Sequence, residues 1–344
     1  MRFFVLQSKY HGSNQQLIAL GECLSIEAKT CALRIELRSR SSLLGPLLRG
    51  ALSLLKRGGA RKRLRSVVLR VVLKGVIPEL QEHDVVIAKT APFEFVSQLI
   101  TAGTGARVLF VGQPKRFNAT CFEWIVATPS TPSKEANIEL ELLPGAFTPT
   151  EYSAAQPPRG SNPRLYSFLI GGKARGYPFS NSDWNAVIEL IKNLRDYDSS
   201  ALWSISTSPR TDICFESRLK ALRAAQPELF FAVSLWNDGQ RVPVLDVLTG
   251  SSLIFVTEDS ASMLCEALST ALPTISLRPA ESTFHSLSTP LALFHEERGR
   301  LLRSEIDALQ PDSMRKFAAR RPTVPIEDWM DSLRRQFLAA SESE

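Results

Sequence analysis

The sequence has few cysteines and no Cys-x-x-Cys pair, with five cysteines in 344 residues. An odd number of cysteines without that spacing favours a reducing compartment over a disulfide framework or a zinc site. No apolar run approaches the roughly 18–20 residues of a membrane-spanning helix. The stretch Phe3–Leu6 is too short for the core of a signal peptide. We therefore expect a cytoplasmic protein, which could still bind peripherally to the inner face of a membrane.

Two common phosphate-binding motifs, Walker A and Gly-x-Gly-x-x-Gly, are also absent. Hydrophobic residues make up 44% and charged residues 22%, which excludes global disorder. Lysine and arginine number 41 against 35 aspartates and glutamates, so the formal net charge is +6. This excess favours anionic partners such as nucleotides, phosphates or acidic membranes, and it does not require nucleic acid.

One window, Gln156–Pro163, interrupts the sequence with three prolines and a glycine. That composition disfavours helix and central strand, so it predicts an interdomain linker. The length is also that of two domains, at roughly 100–200 residues per domain. We predict a first domain at 1–156, a linker at 157–163, a second domain at 164–310 and a C-terminal helix in 311–344 that returns to the first domain.

Short β-rich runs alternate with amphipathic segments in both halves. The predicted strands are Arg2–Gln7, Ala32–Leu37, Asp84–Ala88, Ala106–Gly112, Phe122–Ala127, Leu165–Gly171, Ala201–Thr207, Leu229–Leu235, Ser252–Val256 and Thr274–Leu277. The predicted helices are Gln15–Ala28, Ser42–Lys56, Pro92–Ala102, Ser180–Leu194, Phe215–Ala225, Asp259–Thr270, Leu291–Leu309 and Ile326–Leu338. This alternation predicts an α/β fold of two doubly wound, Rossmann-like domains facing a cleft, with ligands at the carboxyl ends of the strands.

Two turns that follow predicted strands carry residues suited to phosphate binding. Gly171 and Gly172 precede Lys173, and paired glycines there allow the backbone to approach a phosphate closely. The turn Ser206–Thr211 offers hydroxyl groups together with Arg210, which could bind phosphate. Each has a plainer alternative: an ordinary turn, or a Ser/Thr-rich loop with a solvated arginine.

A third turn follows an apolar strand that ends at Val256, and Asp259 or Ser260 suits the N-cap of the next helix. A helix that starts at the carboxyl end of a strand presents free N–H groups and a partial positive charge, which suits a diphosphate. Glu258 and Glu266 lie on either side of this helix start. The alternative is an ordinary capped helix with a solvated Glu266.

In this order, the three turns resemble the motifs of the mitochondrial-fission Elm-type family of predicted GT-B glycosyltransferases. That family carries Ile-Gly-Gly, then Ser-x-Ser-Arg-Arg-Thr, then Thr-x-Asp-Ser-x-Ser-Met followed by Glu-Ala and Pro. The matching segments here are Leu169–Gly172, Ser206–Thr211, Thr257–Met263, Glu266–Ala267 and Pro273. The segment Gly12–Gln16 is similar to the Gly-x-x-Asn-Gln start of the family's first helix.

The resemblance implies a GT-B fold with a nucleotide-sugar donor bound in the second domain. It also implies transfer of the sugar to a lipid-linked or cell-envelope glycan such as lipopolysaccharide. The implied donor-binding residues are Gly171, Gly172, Lys173, Ser206, Ser208, Arg210, Glu258, Asp259, Ser260, Ser262, Met263 and Glu266. Glu258 or Glu266 would bind ribose or the donor sugar. A helix dipole and an arginine can substitute for a divalent cation, so we expect no metal and no other cofactor.

The first domain supplies candidates for the acceptor side. His11 follows the first strand and could act as a general base, since histidine titrates near neutrality. A surface or capping histidine is the alternative reading. Gly12, Ser13, Asn14 and Gln15 would form a loop that contacts the acceptor.

The stretch Arg38–Lys74 contains no acidic residue and interleaves basic with aliphatic side chains. Such a pattern suits an anionic membrane surface, at about 1 kcal/mol per basic residue near the surface. It also lacks aromatic residues, which argues against stacking on single-stranded nucleic acid. A soluble basic face is the alternative.

Three segments depart from the family pattern. Pro209 replaces the first arginine of Arg-Arg-Thr, Val242–Val244 stands in place of Asn-Pro-Tyr, and Thr128–Ser130 stands in place of Pro-x-His-Asp. These departures leave two other functions open. One is a non-catalytic adaptor at a membrane, and the other is a nucleotide-sugar epimerase, which uses the same fold.

Overall fold

The computed structural model describes most of the chain. The described residues are 1–7, 11–25, 30–33, 36–37, 73–74, 79–89, 91–157, 164–193, 198–239, 242–285, 287–319 and 326–342. The predicted helix Ser42–Lys56, almost all of the basic stretch Arg38–Lys74 and most of the predicted linker 157–163 lie outside these residues.

The chain divides into two compact units. Unit 1 consists of Met1–Pro144 with Trp329–Glu344, and unit 2 consists of Gly145–Asp328. The segment 145–157 therefore belongs to unit 2, and the C-terminal helix belongs to unit 1.

Unit 1 is built on a parallel six-stranded sheet with the strand order β2-β1-β5-β6-β7-β8. Its strands are β1 (Phe3–Leu6), β2 (Thr30–Leu33), β5 (Val85–Lys89), β6 (Arg107–Val111), β7 (Trp124–Ala127) and β8 (Ile138–Glu139). A separate antiparallel pair consists of β3 (Glu36–Leu37) and β4 (Leu73–Lys74). The helices are α1 (His11–Leu24), α2 (Ala91–Thr101) and, at the other end of the chain, α10 (Trp329–Glu342).

Helix α10 is integrated into unit 1 by both apolar and polar contacts. The Phe337 ring lies 4.4 Å from the Trp124 ring, measured between centroids. The Gln336 side chain donates to the Glu139 carbonyl at 2.7 Å and accepts from the Glu139 N–H at 2.8 Å. Arg334 donates to the carbonyl of Cys23 in α1 at 3.0 Å. The amide of Gln336 thus continues the hydrogen bonding of the sheet at β8.

Unit 2 contains a second parallel sheet of six strands with the order β11-β10-β9-β12-β13-β14. The strands are β9 (Arg164–Ile170), β10 (Ala201–Thr207), β11 (Phe230–Ser234), β12 (Ser251–Thr257), β13 (Thr274–Arg278) and β14 (Leu301–Glu305). The helices are α3 (Pro149–Ala154), α4 (Asn181–Lys192), α5 (Ile213–Ala225), α6 (Val244–Leu248), α7 (Ala261–Ser269), α8 (Ser288–Glu297) and α9 (Pro311–Ala318).

The core of unit 2 packs side chains of the central strands against helices α4, α5 and α9. Trp203, Phe168 and Phe255 come from three neighbouring strands, and the Trp203 and Phe255 ring centroids are 5.2 Å apart. The Trp203 indole donates to the Ile191 carbonyl at 3.0 Å, so this buried polar group is satisfied. These contacts hold the carboxyl ends of β9, β10 and β12 side by side.

Three predicted elements are wrong in part. The predicted helix Leu291–Leu309 ends at Glu297, because Gly299 adopts a left-handed conformation with φ +66°. The chain then continues as β14, which pairs in parallel with β13. The predicted strand Ala32–Leu37 is divided between β2 and β3, which belong to different sheets. Helix α1 begins at His11 rather than Gln15, and it ends at Leu24 rather than Ala28.

Candidate functional site

The predicted donor-binding turns meet at one edge of the unit 2 sheet. Strands β9, β10 and β12 are adjacent and parallel, so their carboxyl ends at Ile170, Thr207 and Thr257 lie together. The turns that begin at Gly171, at Ser208 and at Glu258 follow these ends directly. This is the edge at which open parallel sheets bind ligands.

Gly171 and Gly172 are required by close packing against the two neighbouring turns. A Cβ atom on Gly171 would lie 2.3 Å from both carboxylate oxygens of Asp259. A Cβ atom on Gly172 would lie 2.0 Å from the backbone oxygen of Arg210. The Gly171 N–H donates to the Thr257 hydroxyl at 2.6 Å, and the Gly172 N–H donates to Asp259 at 3.0 Å. The glycine pair therefore joins the three turns into one hydrogen-bonded cluster.

Asp259 is fully buried at the centre of this cluster of turns. Its Oδ2 accepts from the Gly172 N–H at 3.0 Å and from the Arg210 guanidinium at 2.7 Å. Burial raises the pKa of Asp259 to about 6, and Arg210 and the Gly172 N–H oppose that rise. Its Oδ1 has no hydrogen-bond partner among the residues that the structure describes. Asp259 thus orients Arg210, and its predicted contact with the donor stays a prediction.

The Arg210 guanidinium is held on one side by Asp259. Its side chain remains 42% exposed to solvent. Its backbone N–H donates to the Ser208 hydroxyl at 3.2 Å. Thr211 closes the turn by donating to the Gly171 carbonyl at 2.5 Å. A guanidinium fixed in this way presents its remaining N–H groups to solvent at the sheet edge.

Helix α7 begins at Ala261, with Ser260 as its N-cap. The Ser260 hydroxyl accepts from the Met263 N–H at 3.5 Å, as is typical of a capping serine. Ser262 and Met263 lie in the first turn and are partly exposed. The N-terminus of the helix, with its partial positive charge, thus lies in the same turn as Asp259, whose side chain pairs with Arg210 of the second turn.

Glu258 has a structural role. Its Oε1 accepts from Tyr177 at 2.8 Å and from Arg303 at 2.7 Å, and its Oε2 accepts from Arg303 at 2.7 Å and from Ser276 at 3.3 Å. A carboxylate offers about four acceptor positions, so none is left for a ribose hydroxyl. The prediction that Glu258 binds ribose is therefore corrected, and Arg303, which sequence reasoning missed, is its ion-pair partner.

A pocket of about 170 Å³ lies between the second and third turns. Its walls are formed by Leu169, Ser206, Thr207, Ser208, Pro209, Ser234, Trp236, Val242, Val244, Met263 and Glu266. Four of these residues were predicted as donor-binding from the sequence. Trp236 and Val242 were not, because they follow β11 in a segment that carries no phosphate-binding signature.

Glu266 brings an ionisable group to this otherwise mainly apolar wall. The half-buried Glu266 lines the pocket, and burial raises its pKa to about 7. A carboxyl group with this pKa can accept or donate a hydrogen bond near neutral pH.

We expect Glu266→Gln to stabilise the protein above pH 7. The folded protein holds a proton on Glu266 that the unfolded chain releases above pH 4.5, so stability falls between pH 4.5 and about 7. At about 1.4 kcal/mol per pKa unit, the glutamine variant should gain about 1–3 kcal/mol at pH 8 over the wild type. Urea unfolding at pH 5 and pH 8 measures the difference. Glu297→Gln, which removes an exposed carboxyl, serves as the control, and an equal gain in both variants would contradict the prediction.

The remaining candidates are not among the residues that line this pocket. Lys173 is exposed after the glycine pair. His11 is the first residue of α1. The acceptor loop predicted at 12–15 is instead the first turn of α1, where Ser and Asn are tolerated because the N–H groups have no intrahelical partner. Within that turn Asn14 is half-buried and Gln15 is exposed.

A larger pocket of about 320 Å³ lies in unit 1, and it contains none of the predicted site residues. Its cation, Arg107, is already paired with Glu123 at 3.3 Å and lies 4.7 Å from the centroid of the Trp124 ring. The volume of a pocket alone therefore does not identify the functional site.

Two structural features are absent from the described residues. No helix there is long and apolar enough to cross a membrane. No group of three or more His, Cys, Asp and Glu side chains there is arranged to hold a metal ion.

Three solved structures illustrate the similarity of the fold. MurG from Acinetobacter baumannii aligns with a TM-score of 0.50 and 11% identity, covering 99% of this chain and 94% of that one. UDP-GlcNAc 2-epimerase from Methanocaldococcus jannaschii aligns with a TM-score of 0.53 and 11% identity, covering 99% and 100%. MnaA from S. aureus, solved with UDP, aligns with a TM-score of 0.51 and 10% identity, covering 96% and 93%. These matches confirm the predicted α/β fold of two Rossmann-like domains, the GT-B class.

No curated protein sequence matches the chain. The sequence model of the mitochondrial fission ELM1 family matches residues 11–296. That span contains the glycine pair, the Ser206–Thr211 turn and the start of α7, which are the segments that carry the resemblance noted above. The chain therefore belongs to the mitochondrial fission ELM1 family.

Proposed function

We propose that this protein is a glycosyltransferase that moves a sugar from a nucleotide-sugar donor to a lipid-linked or cell-envelope glycan acceptor. The observation that carries the proposal is the arrangement in unit 2. A pocket lined by Ser206, Ser208, Met263 and Glu266 adjoins the turns that hold Arg210 and the N-terminus of α7. The GT-B class of the fold, which glycosyltransferases and nucleotide-sugar epimerases share, supports the same interpretation.

The diphosphate of the donor would bind to Arg210 and to the first N–H groups of α7. An arginine fixed by a buried carboxylate keeps its direction before the ligand arrives, which reduces the entropy lost on binding. Both groups would also stabilise the negative charge that develops on the departing nucleotide. This supports a mechanism that requires no divalent cation, and activity that survives EDTA would test it.

The nucleoside would occupy the pocket itself. Trp236 and Val242 offer apolar surface for a base, and aromatic side chains commonly stack on bases. Glu266 lines the same pocket, where its carboxyl can accept hydrogen bonds from ribose hydroxyls. Val242 belongs to one of the segments that depart from the family pattern, so this departure would change the base-binding wall.

The acceptor side stays a prediction. His11 is proposed as the general base, and the basic stretch Arg38–Lys74 is proposed to contact anionic lipid. Sedimentation with anionic and neutral vesicles would test the lipid contact, because an electrostatic contact requires the anionic lipid and weakens with salt.

A thermal-shift screen against UDP-, GDP-, ADP-, CMP- and dTDP-linked sugars tests the proposal. A ligand at a hundredfold excess over its Kd should stabilise the protein by about 2.7 kcal/mol. Turnover that depends on an acceptor identifies a transferase, whereas turnover of the nucleotide-sugar alone identifies an epimerase. If none of these ligands raised the unfolding temperature at millimolar concentration, the result would contradict the proposal and favour a non-catalytic adaptor.

We expect Arg210→Ala to weaken nucleotide-sugar binding by about 1.5–3 kcal/mol, as for the loss of a hydrogen bond to a charged group. Lys220→Ala is the matched control, since Lys220 is an exposed cation of the same unit in an ion pair with Asp238. Calorimetric titration of both variants measures the effect. Unchanged affinity in a folded Arg210→Ala protein would remove Arg210 from the site.

A further inference from the structure

The loop between β13 and α8 places His285 against the turn Ala174–Tyr177, which follows the glycine pair, although no sequence motif pointed to it. The half-buried His285 ring lies 5.7 Å from the Tyr177 ring in an edge-on arrangement. Its Cβ faces the turn Ala174–Tyr177, in which a Cβ atom on Gly176 would come within 3.5 Å of it. The Thr283 N–H donates to the Gly176 carbonyl at 2.8 Å and joins the two segments.

The hydrogen bonds of His285 determine which ring nitrogen carries the proton. The Ser288 N–H, which can only donate, is directed at Nδ1 at 3.2 Å, and the Ser288 hydroxyl lies 2.7 Å from the same atom. Nδ1 is therefore an acceptor, and the neutral ring carries its proton on Nε2. No hydrogen bond to a described residue involves Nε2.

A chain of hydrogen bonds connects His285 to the buried ion pair. The His285 N–H donates to the Thr289 hydroxyl at 3.0 Å, and that hydroxyl lies 3.2 Å from the Tyr177 oxygen. Because Tyr177 donates to the Glu258 carboxylate, the Thr289 hydroxyl is the donor to Tyr177. The backbone of the His285 loop is thus held by the same network that pairs Glu258 with Arg303.

Two guanidinium groups act on the His285 imidazole. Burial and the guanidinium groups of Arg210 and Arg175 lower the pKa of the imidazole below its usual value. Arg175 is an exposed residue of the turn Ala174–Tyr177. A neutral N–H donor beside two cations can bind an anion without adding a third positive charge to the ligand-free site.

We propose that His285 binds the diphosphate of the donor through its Nε2–H, and that it forms an anion cradle together with Arg210 and Arg175. The proposal rests on the proposed function and adds a ligand-binding residue from a third loop, after β13. Tyr177, Ser288 and Thr289 are positioning residues in this scheme, because they hold the ring and do not contact the ligand.

Titration with inorganic pyrophosphate tests the cradle separately from nucleotide recognition. We expect the wild type to bind pyrophosphate and His285→Ala to bind it about ten- to a hundredfold more weakly, as for a lost hydrogen bond to a charged acceptor. His285→Gln places an amide N–H near the position of Nε2, so it should retain affinity within a few-fold. His83→Ala, which changes an exposed histidine of unit 1, is the matched control and should bind like the wild type.

NMR of ¹⁵N-labelled histidines supplies a readout that a purely structural role would not produce. The ligand-free protein should show the Nε2–H tautomer for His285, and pyrophosphate should shift that resonance. An Nδ1–H tautomer, no binding of pyrophosphate, equal affinity in His285→Ala, or equal losses in the alanine and glutamine variants would each overturn the cradle. Binding of pyrophosphate without any binding of nucleoside diphosphates would instead leave the cradle standing and contradict the proposed function.

Discussion

Arg303→Met is expected to lower the free energy of unfolding by about 3–5 kcal/mol, the usual cost of removing one partner from a buried ion pair. Arg303 makes two of the four hydrogen bonds to Glu258, at 2.7 Å each, and the Glu258 side chain is 1% exposed. Without Arg303 the carboxylate would be buried with only Tyr177 and Ser276 as donors. Chemical denaturation at pH 7 measures the loss directly.

Two further variants distinguish the cost of an unpaired buried charge from the cost of losing an exposed ion pair. Lys192→Met removes a cation from the exposed pair with Glu189 and should cost no more than about 1 kcal/mol. The double variant Arg303→Met with Glu258→Leu should recover part of the stability, because no uncompensated charge then remains. Equal costs for Arg303→Met and Lys192→Met would contradict the structural role given to Glu258.

Gly172→Ala is expected to cost about 3 kcal/mol or more and to reduce pyrophosphate binding. The new methyl group would lie 2.0 Å from the Arg210 oxygen and 2.4 Å from its carbonyl carbon. Overpacking against side chains costs about 1–3 kcal/mol, and backbone atoms yield less readily. The Arg210 turn would have to move, which would also displace its guanidinium from Asp259.

Gly239→Ala is the control for the ordinary cost of replacing a glycine. Gly239 has φ +75° and nothing within 4 Å of the added atom, so only backbone strain opposes the change. Its cost should be about 1–2 kcal/mol without an effect on pyrophosphate binding. Thermal unfolding and calorimetry on both variants distinguish the two cases, and an equal cost would remove the argument for close packing at Gly172.

The sheet of unit 2 could be predicted from local signals. Strand β10 occupies the predicted residues Ala201–Thr207, and β9 and β12 differ from prediction by one residue at each end. Buried parallel strands are continuous apolar runs, which are visible in the sequence without knowledge of their neighbours. Strand β14 was missed because Leu301–Glu305 is only partly buried and becomes a strand by pairing with β13.

The candidate site was predictable in its location but not in the role of each residue. Local motifs led to Gly171, Arg210 and Ser260. The roles of Glu258 and Asp259 depend on partners 45 and 49 residues away, at Arg303 and Arg210. Neighbouring acidic residues in one turn look alike in a sequence, and only the fold shows that both are bonded inside the protein.

The position of α10 has a consequence for the order in which the protein is assembled on the ribosome. Unit 2 is made from one continuous segment, Gly145–Asp328, and it can fold as soon as that segment has emerged. Unit 1 needs residues 1–144 together with α10, which is synthesised after unit 2. Until then the surface of Trp124 that Phe337 covers is open to solvent or to a chaperone. The second half of the chain can therefore reach its native state before the first half.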